Sequence, residues 1–199
     1  IGEGLRLAKE LDMEAWLSDE ETWSSGFAGG LLLEARPDLE CQVVFVKDPG
    51  LKIKSNPLAG FLVKGDQYWP QGDPQAPLEA KKMEIATGKG VGQGPLPMPG
   101  FFNGDLWPDL MHPDTTREFI RITHERYAKE FRKDFGPRMP AIFTDEPNID
   151  AIREDKGKAL PWSKVFPDKF QEMHGYSILD HLPALFADLP SSRKIKHDY

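Results

Sequence analysis

The 199-residue chain is poor in three features, and each shortage excludes a class of protein. Its single cysteine, Cys41, excludes an internal disulfide and a cysteine-based zinc site. It has no run of 18 or more apolar residues, which excludes a membrane-spanning helix, so we expect no membrane partner. Its 25 Lys and Arg residues are outnumbered by 32 Asp and Glu residues, and it has no basic block. We therefore expect no nucleic-acid partner.

The sequence also lacks the usual signatures of a metal or a cofactor. The spacing of His174, His181 and His197 does not resemble that of a metal site. The glycine-rich segment 88–94 lacks the Gly-Lys-Ser/Thr ending of a phosphate loop, and Pro95 follows where a dinucleotide loop requires glycine. The sequence therefore predicts no cofactor, and it predicts a flexible loop at this segment.

What the sequence does contain is an alternation of helical and strand patterns. Residues 3–11 predict an amphipathic helix closed by Asp12, and residues 14–17 predict a short strand followed by a long polar loop. A helix that begins after Pro113 and ends at Gly136 precedes a second apolar strand at 139–144. This order favours an α/β fold, which we interpret as part of a (β/α)8 barrel; a whole barrel needs about 250 residues.

Within this barrel, residues 31–112 predict a loop- and β-rich insertion. The runs 41–46, 60–63 and 82–86 are β-type, and Asp48-Pro49-Gly50 is a turn signal, so we expect a small antiparallel sheet. The chain begins in a helical pattern without a methionine and ends without a helix cap. We therefore expect residues 1–199 to be one incomplete catalytic domain, a fragment of a longer chain.

Local signals refine the start of the helix after Pro113 and predict two further helices. Thr115 and Glu118 have the spacing of a capping box, which places Pro113 outside the helix that follows it. Residues 166–174 predict a helix stopped by Gly175, and residues 179–186 predict another short helix.

The most informative motif is Phe143-Thr144-Asp145-Glu146-Pro147. It places two carboxylates at the carboxyl end of a strand, where the active sites of barrels lie. Pro147 disfavours helical geometry at Glu146, so we expect its side chain to lie on an extension of the strand. In an apolar mouth the pKa of such a carboxyl would be raised, which suits a general acid. The alternative is a solvated turn.

Two other segments combine acids with tryptophan, a chemistry that suits sugars. Asp19, Glu20 and Trp23 follow the first strand, and Asn103, Asp105 and Trp107 precede the long helix. Carboxylates accept hydrogen bonds from hydroxyls, and an indole stacks on the C–H face of a pyranose. We therefore predict these six residues and Asp145 as substrate-binding residues for a carbohydrate. The alternatives are a solvated loop for the acids and core packing for the tryptophans.

Together these segments resemble a family of bacterial glycoside hydrolases. The members of this family are related to barrel α-L-rhamnosidases, and they carry a galactosidase-type sugar-binding domain. The resemblance rests on residues 16–30, on 114–147, and on Pro161-Trp162, His174-Gly175-Tyr176 and 182–186. In the wider clan an Asn-Glu-Pro motif supplies the acid/base glutamate, which implies Glu146 as the catalytic residue. Asp145 departs from the clan's Asn. The resemblance implies a second carboxylate beyond Tyr199.

The leading hypothesis is therefore a glycosidase that cleaves O-glycosidic bonds with Glu146 as general acid, inactive as the isolated fragment. The alternative is a non-catalytic carbohydrate-binding protein on the same scaffold. A metal-dependent hydrolase is the weaker third hypothesis, because no histidine accompanies the acids.

Overall fold

A computed structural model describes residues 1–20, 25–48, 54–90, 107–149 and 159–199. These residues fall into two compact units. The first unit comprises Ile1–Glu40 and Gly94–Ile149, and the second comprises Cys41–Gln93 and Asp150–Tyr199.

The strands of the described residues form a two-stranded parallel sheet and a five-stranded antiparallel sheet, and neither is part of a barrel. The prediction of a partial (β/α)8 barrel with a small antiparallel insertion is therefore wrong. The β-type runs at 41–46, 60–63 and 82–86 do form strands. Because these strands pair antiparallel with one another and with a later segment, they form the larger of the two sheets.

The first unit contains four helices and the parallel strand pair, as far as the structure describes it. The elements are α1 (Gly2–Glu10), β1 (Leu17–Ser18), α2 (Leu31–Ala35), α3 (Pro113–Ile122), α4 (His124–Phe131) and β6 (Ile142–Phe143). The helix predicted at 3–11 is confirmed by α1, after which Asp12 adopts a φ of 53°. In the strand pair, Leu17 lies opposite Ile142 and Ser18 opposite Phe143.

Helix α3 begins differently from the prediction. Pro113 is the first helical residue, and the helix is capped by His112, whose Nδ1 accepts a hydrogen bond from the Asp114 N–H at 3.1 Å. Proline suits this position because its missing N–H would have had no partner inside the helix. Thr115 is fully buried and donates to the Asp109 carbonyl at 2.6 Å, so the predicted capping box does not form.

The long helix predicted after Pro113 is divided at Thr123 into α3 and α4. The Thr123 hydroxyl donates to the Phe119 carbonyl at 2.7 Å, and its backbone ψ is −75°. A threonine that bonds back to the preceding turn often bends a helix. The helix is thus interrupted at Thr123, and α4 ends at Phe131 rather than at Gly136.

The second unit is the antiparallel sheet with helices packed against it. The sheet order is β4-β3-β5-β2-β7, with β2 (Gln42–Val46), β3 (Ser55–Lys64), β4 (Gln67–Pro70), β5 (Lys81–Lys89) and β7 (Ala159–Trp162). The helices are α5 (Phe166–His174), α6 (Pro183–Phe186) and α7 (Ser192–Asp198). Gly175 ends α5 with a φ of 77°, so the predicted stop is confirmed. The helix predicted at 179–186 is instead a 3₁₀ turn at Ile178–His181 followed by α6.

Side chains from the sheet and from these helices share one hydrophobic core. Val44 and Ile85 from the sheet meet Phe170, Ile178 and Leu182, and Leu182 has no exposed surface. The burial of these apolar side chains is the main stabilising contribution in this unit.

Replacing Leu182 with alanine should therefore lower the free energy of unfolding by about 2–5 kcal/mol, because it leaves a cavity in this core. The measurement is urea denaturation followed by circular dichroism. Leu179→Ala is the matched control, since Leu179 is 36% exposed and its loss should cost far less. Equal losses for the two variants would contradict this description of the core.

A polar cluster holds α7 on the same unit. Asp198 accepts a hydrogen bond from the Tyr176 hydroxyl at 2.5 Å and another from the Lys194 ammonium. His174 Nδ1 lies 3.8 Å from the same carboxylate oxygen. The bond from Lys194, followed by that from Tyr176, lowers the pKa of Asp198 from its ordinary value of 3.8. The folded state therefore favours the ionised carboxylate.

The stabilisation by Asp198 should be present above its ordinary pKa and should be lost as the pH falls through the lowered value. We expect Asp198→Asn to reduce the free energy of unfolding near neutral pH, with a difference from the unmodified chain that shrinks on acidification. Urea denaturation at a series of pH values measures this difference. Asp188→Asn, at an exposed position, is the control. A difference that stays constant with pH would contradict the role of the carboxylate.

Candidate functional site

The candidate site lies in the first unit, where β1 and β6 end side by side. Because the two strands are parallel, the residues that follow them, Asp19 and Thr144, emerge at the same edge. The Asp19 N–H donates to the Phe143 carbonyl at 3.1 Å, which extends the pairing by one residue. The structure thus brings the two acidic segments predicted from the sequence to one edge of the parallel sheet.

The Asp19 carboxylate is almost fully buried, with 4% of the residue exposed. Its Oδ1 accepts a hydrogen bond from the Ser25 hydroxyl at 2.6 Å, and its Oδ2 accepts one from the Thr144 hydroxyl, also at 2.6 Å. A buried carboxylate requires such partners, because without them the loss of hydration is very unfavourable. Asp19 therefore acts as a structural link between β1, the loop after it and the end of β6.

Ser25 also fixes the backbone of Asp145. The Asp145 N–H donates to the Ser25 hydroxyl at 2.8 Å, and the Ser25 N–H donates to the Asp145 carbonyl at 2.8 Å. The Asp145 residue is half-buried. Its backbone position is thus set by the same buried network that holds Asp19.

Glu20 is buried as well, with 8% of the residue exposed. Its carboxylate accepts hydrogen bonds from three successive backbone N–H groups, those of Phe27 at 3.3 Å, Ala28 at 2.6 Å and Gly29 at 2.9 Å. Ala28 and Gly29 have φ values of 52° and 61°, which turn these N–H groups to one side. Such a concave arrangement of N–H groups binds anions, and here the anion is the protein's own Glu20.

Glu146 is the exposed one of the four predicted site carboxylates that lie among the described residues. Its φ is 43°, so it lies in the left-handed region and not on an extension of the strand, which ends at Phe143. Pro147 does exclude helical geometry at Glu146, but the chain turns there and directs the residue to the surface. We expected an apolar surrounding for Glu146, but the structure places this residue at the surface.

The indole of Trp107 belongs to the interior and is not presented to a ligand. Only 1% of the residue is exposed, its ring centroid lies 5.3 Å from that of Phe27, and its Nε1 donates to the Asn148 carbonyl at 2.9 Å. Trp107 therefore packs in the core, in contrast to the stacking role predicted for it. The other predicted ligand contacts, Trp23, Asn103 and Asp105, lie outside the described residues.

A cavity of about 690 Å³ opens beside the carboxyl end of β1. Ser18, Asp19 and Glu20 line one side of it, and Gly29 and Leu31 line the part near α2. The opposite wall comes from the end of α3 and from α4, with the side chains of Ile122, Thr123, Arg126, Tyr127, Glu130 and Phe131.

No motif in the sequence marks the polar residues of α4, namely Arg126, Tyr127 and Glu130, as site residues. Their spacing, with Thr123 and Phe131, is that of one helix face, at intervals of three and four residues. This periodicity was visible in the sequence, but a face that mixes charged and apolar side chains does not reveal which surface it lines.

Among the described residues, no group of three His, Cys, Asp or Glu side chains is placed to hold a metal ion. No helix in this part of the chain is both long and apolar enough to span a bilayer. Comparison with protein-family models, with curated proteins and with solved structures finds no match for this chain.

The role of Glu20 can be tested through stability. Glu20→Gln replaces one carboxylate oxygen by an NH₂ group that faces backbone N–H donors, so a buried donor loses its acceptor. We expect the free energy of unfolding to fall by roughly 1–3 kcal/mol. Denaturant unfolding of this variant is compared with that of Glu34→Gln, at an exposed position on α2. If both variants are as stable as the unmodified chain, Glu20 does not hold this loop.

Proposed function

We propose that this chain acts on carbohydrate, and that the cavity beside β1 and α4 is where the sugar binds. The observation that carries the proposal is the composition of the cavity wall, in which hydroxyl, carboxylate and guanidinium groups alternate with apolar side chains. A sugar ring likewise combines polar and apolar groups, with hydroxyls at its edge and C–H groups on its faces. A volume of about 690 Å³ is in the usual range of small-molecule sites.

The charges of the cavity favour a neutral ligand over an anionic one. Three carboxylates, those of Asp19, Glu20 and Glu130, line it together with one guanidinium, that of Arg126. An excess of negative charge repels phosphate and other anions from such a site. Neutral hydroxyls, by contrast, can donate to Glu130 and accept from Arg126.

For the activity, we propose glycoside hydrolysis in which Glu146 protonates the glycosidic oxygen. The support is its exposed carboxyl group, which substrate can reach, together with the resemblance of Glu146-Pro147 to the acid/base motif. Asp145, whose backbone N–H is bonded to Ser25, would accept a hydrogen bond from a hydroxyl of the substrate. The mechanism also requires a second carboxylate, about 5–9.5 Å away.

One observation favours binding without hydrolysis as a second candidate. Asp19 and Glu20 use their oxygens in buried hydrogen bonds, so they hold the loop rather than the ligand. Glu146 is not among the residues that line the cavity. A protein that binds sugar through α4 and lacks hydrolytic activity would fit these two facts.

Hydrolysis of a panel of aryl glycosides by the full-length natural protein tests the proposal. We expect Glu146→Gln to lower kcat by about 10²–10⁴-fold with little change in KM, because the general acid acts in the transition state. Glu14→Gln, at an exposed position before β1, is the matched control and should retain full activity.

Three outcomes separate the candidates. Unchanged turnover by Glu146→Gln would remove this residue from the catalytic role. Sugar binding without hydrolysis of any glycoside in the panel would establish the second candidate. The absence of both binding and hydrolysis would overturn the carbohydrate proposal.

A further inference from the structure

A second cavity adjoins the proposed sugar site within the first unit. It has a volume of about 510 Å³ and is lined by Leu31, Glu34, Ala35, Arg121, Ile122 and Arg126. Leu31, Ile122 and Arg126 also line the cavity of about 690 Å³. Because the two cavities have three wall residues in common, they are neighbours, and Arg126 lies where they meet.

Residues on both sides of Thr123 contribute to the walls of the two cavities. Arg121, at the end of α3, lines the second cavity alone, whereas Tyr127 and Glu130 on α4 line the first cavity alone. Leu31, at the start of α2, lies between them. The walls of both cavities thus include residues of α2, α3 and α4.

Two charged side chains near the junction have no ion-pair or hydrogen-bond partner among the residues that the structure describes. Arg121 is engaged by Glu118, with its Nε 2.9 Å from the carboxylate. Arg126 and Glu130, one helical turn apart, form no ion pair or hydrogen bond with any described residue. Both therefore keep their full hydrogen-bonding capacity for a ligand.

We propose, on the basis of the function proposed above, that the ligand is a neutral oligosaccharide of at least two sugar units that occupies both cavities. One unit lies against Tyr127 and Glu130, and the next lies against Leu31 and Ile122 near Glu34. Arg126 donates hydrogen bonds to the units on either side of the junction, so it is the residue that makes binding depend on chain length.

The charges of the joined cavities support a neutral chain. Four carboxylates, those of Asp19, Glu20, Glu34 and Glu130, line them with two guanidinium groups, those of Arg121 and Arg126. Since Glu118 already pairs with Arg121, the positive charge open to a ligand is that of Arg126. A polyanionic chain would therefore meet more repulsion than attraction along its length.

Calorimetric titration of the full-length protein, in a Glu146→Gln background so that no ligand is consumed, tests this inference. The probes are neutral gluco-, manno- and rhamno-oligosaccharides of one to four units, with a galacturonate tetramer as the anionic comparison. In the series that binds, we expect Kd to fall by about tenfold or more between one unit and three. Two additional hydrogen bonds are sufficient for such a gain.

Arg126→Gln should remove most of this gain, and it should also weaken the binding of a single unit, because Arg126 lines both cavities. Arg132→Gln is the matched control, because Arg132 is an exposed arginine at the end of the same helix. For Arg132→Gln, the Kd should depend on the length of the oligosaccharide in the same way as for the parent protein.

The possible failures are distinguishable. If no saccharide binds, the proposed function fails and the inference fails with it. If one unit binds as tightly as four, the inference is wrong while the proposed function stands. A gain with length that survives Arg126→Gln would remove Arg126 from the junction role. If the galacturonate tetramer binds more tightly than every neutral tetramer, the proposal that the ligand is neutral is wrong.

Discussion

The buried carboxylate of Asp19 is the constraint on which the candidate site depends. Strands β1 and β6 are two residues long, and so short a pair has too few backbone hydrogen bonds to be stable by itself. Asp19 adds side-chain bonds to Ser25 and Thr144, and Ser25 passes the constraint on to the backbone of Asp145. Because an unpaired buried carboxylate is very unfavourable, the fold requires these bonds, and in a buried network they strengthen one another. The edge where the two strands end is thus held by one charged group.

The same physics divides the four acidic residues of this edge into two kinds. Asp19 and Glu20 are buried, and their oxygens accept hydrogen bonds from hydroxyls or backbone N–H groups. Asp145 is half-buried, and Glu146 is exposed. A carboxylate that is already bonded on both oxygens stabilises the fold but has little capacity left for a ligand. In the proposed function, the carboxylates that a substrate could reach are therefore those of Asp145 and Glu146, and not those of the buried pair.

Sequence reasoning succeeded where the signal is local and failed where partners are distant. Helix α5 ends at Gly175 because glycine adopts a positive φ at low cost, and that signal lies in a single residue. The β-type runs of the second unit were found, but their antiparallel pairing brings β2 beside β7, more than a hundred residues away, and nothing local specifies that neighbour. Likewise, the sequence placed acids after two strands, whereas the Thr144 hydroxyl that makes Asp19 structural lies 125 residues further on. Whether a given aspartate or glutamate is buried or exposed is decided by contacts of this kind, between residues that are distant in the sequence.

The polar face of α4 was not predicted as part of a site for a different reason. The acidic motifs of this sequence follow strands and were therefore predicted to lie on loops, which carry function in many α/β proteins. Here the loop after β1 is closed by its own Glu20, whose carboxylate occupies the concave set of N–H groups that could otherwise bind an external anion. With that position filled from within, the polar groups left to meet a ligand come from the helix opposite, at positions 126, 127 and 130. Side chains on a helix are more firmly placed than those on a loop, so a site built from α4 can discriminate among ligands by geometry while the loop supplies only a fixed wall.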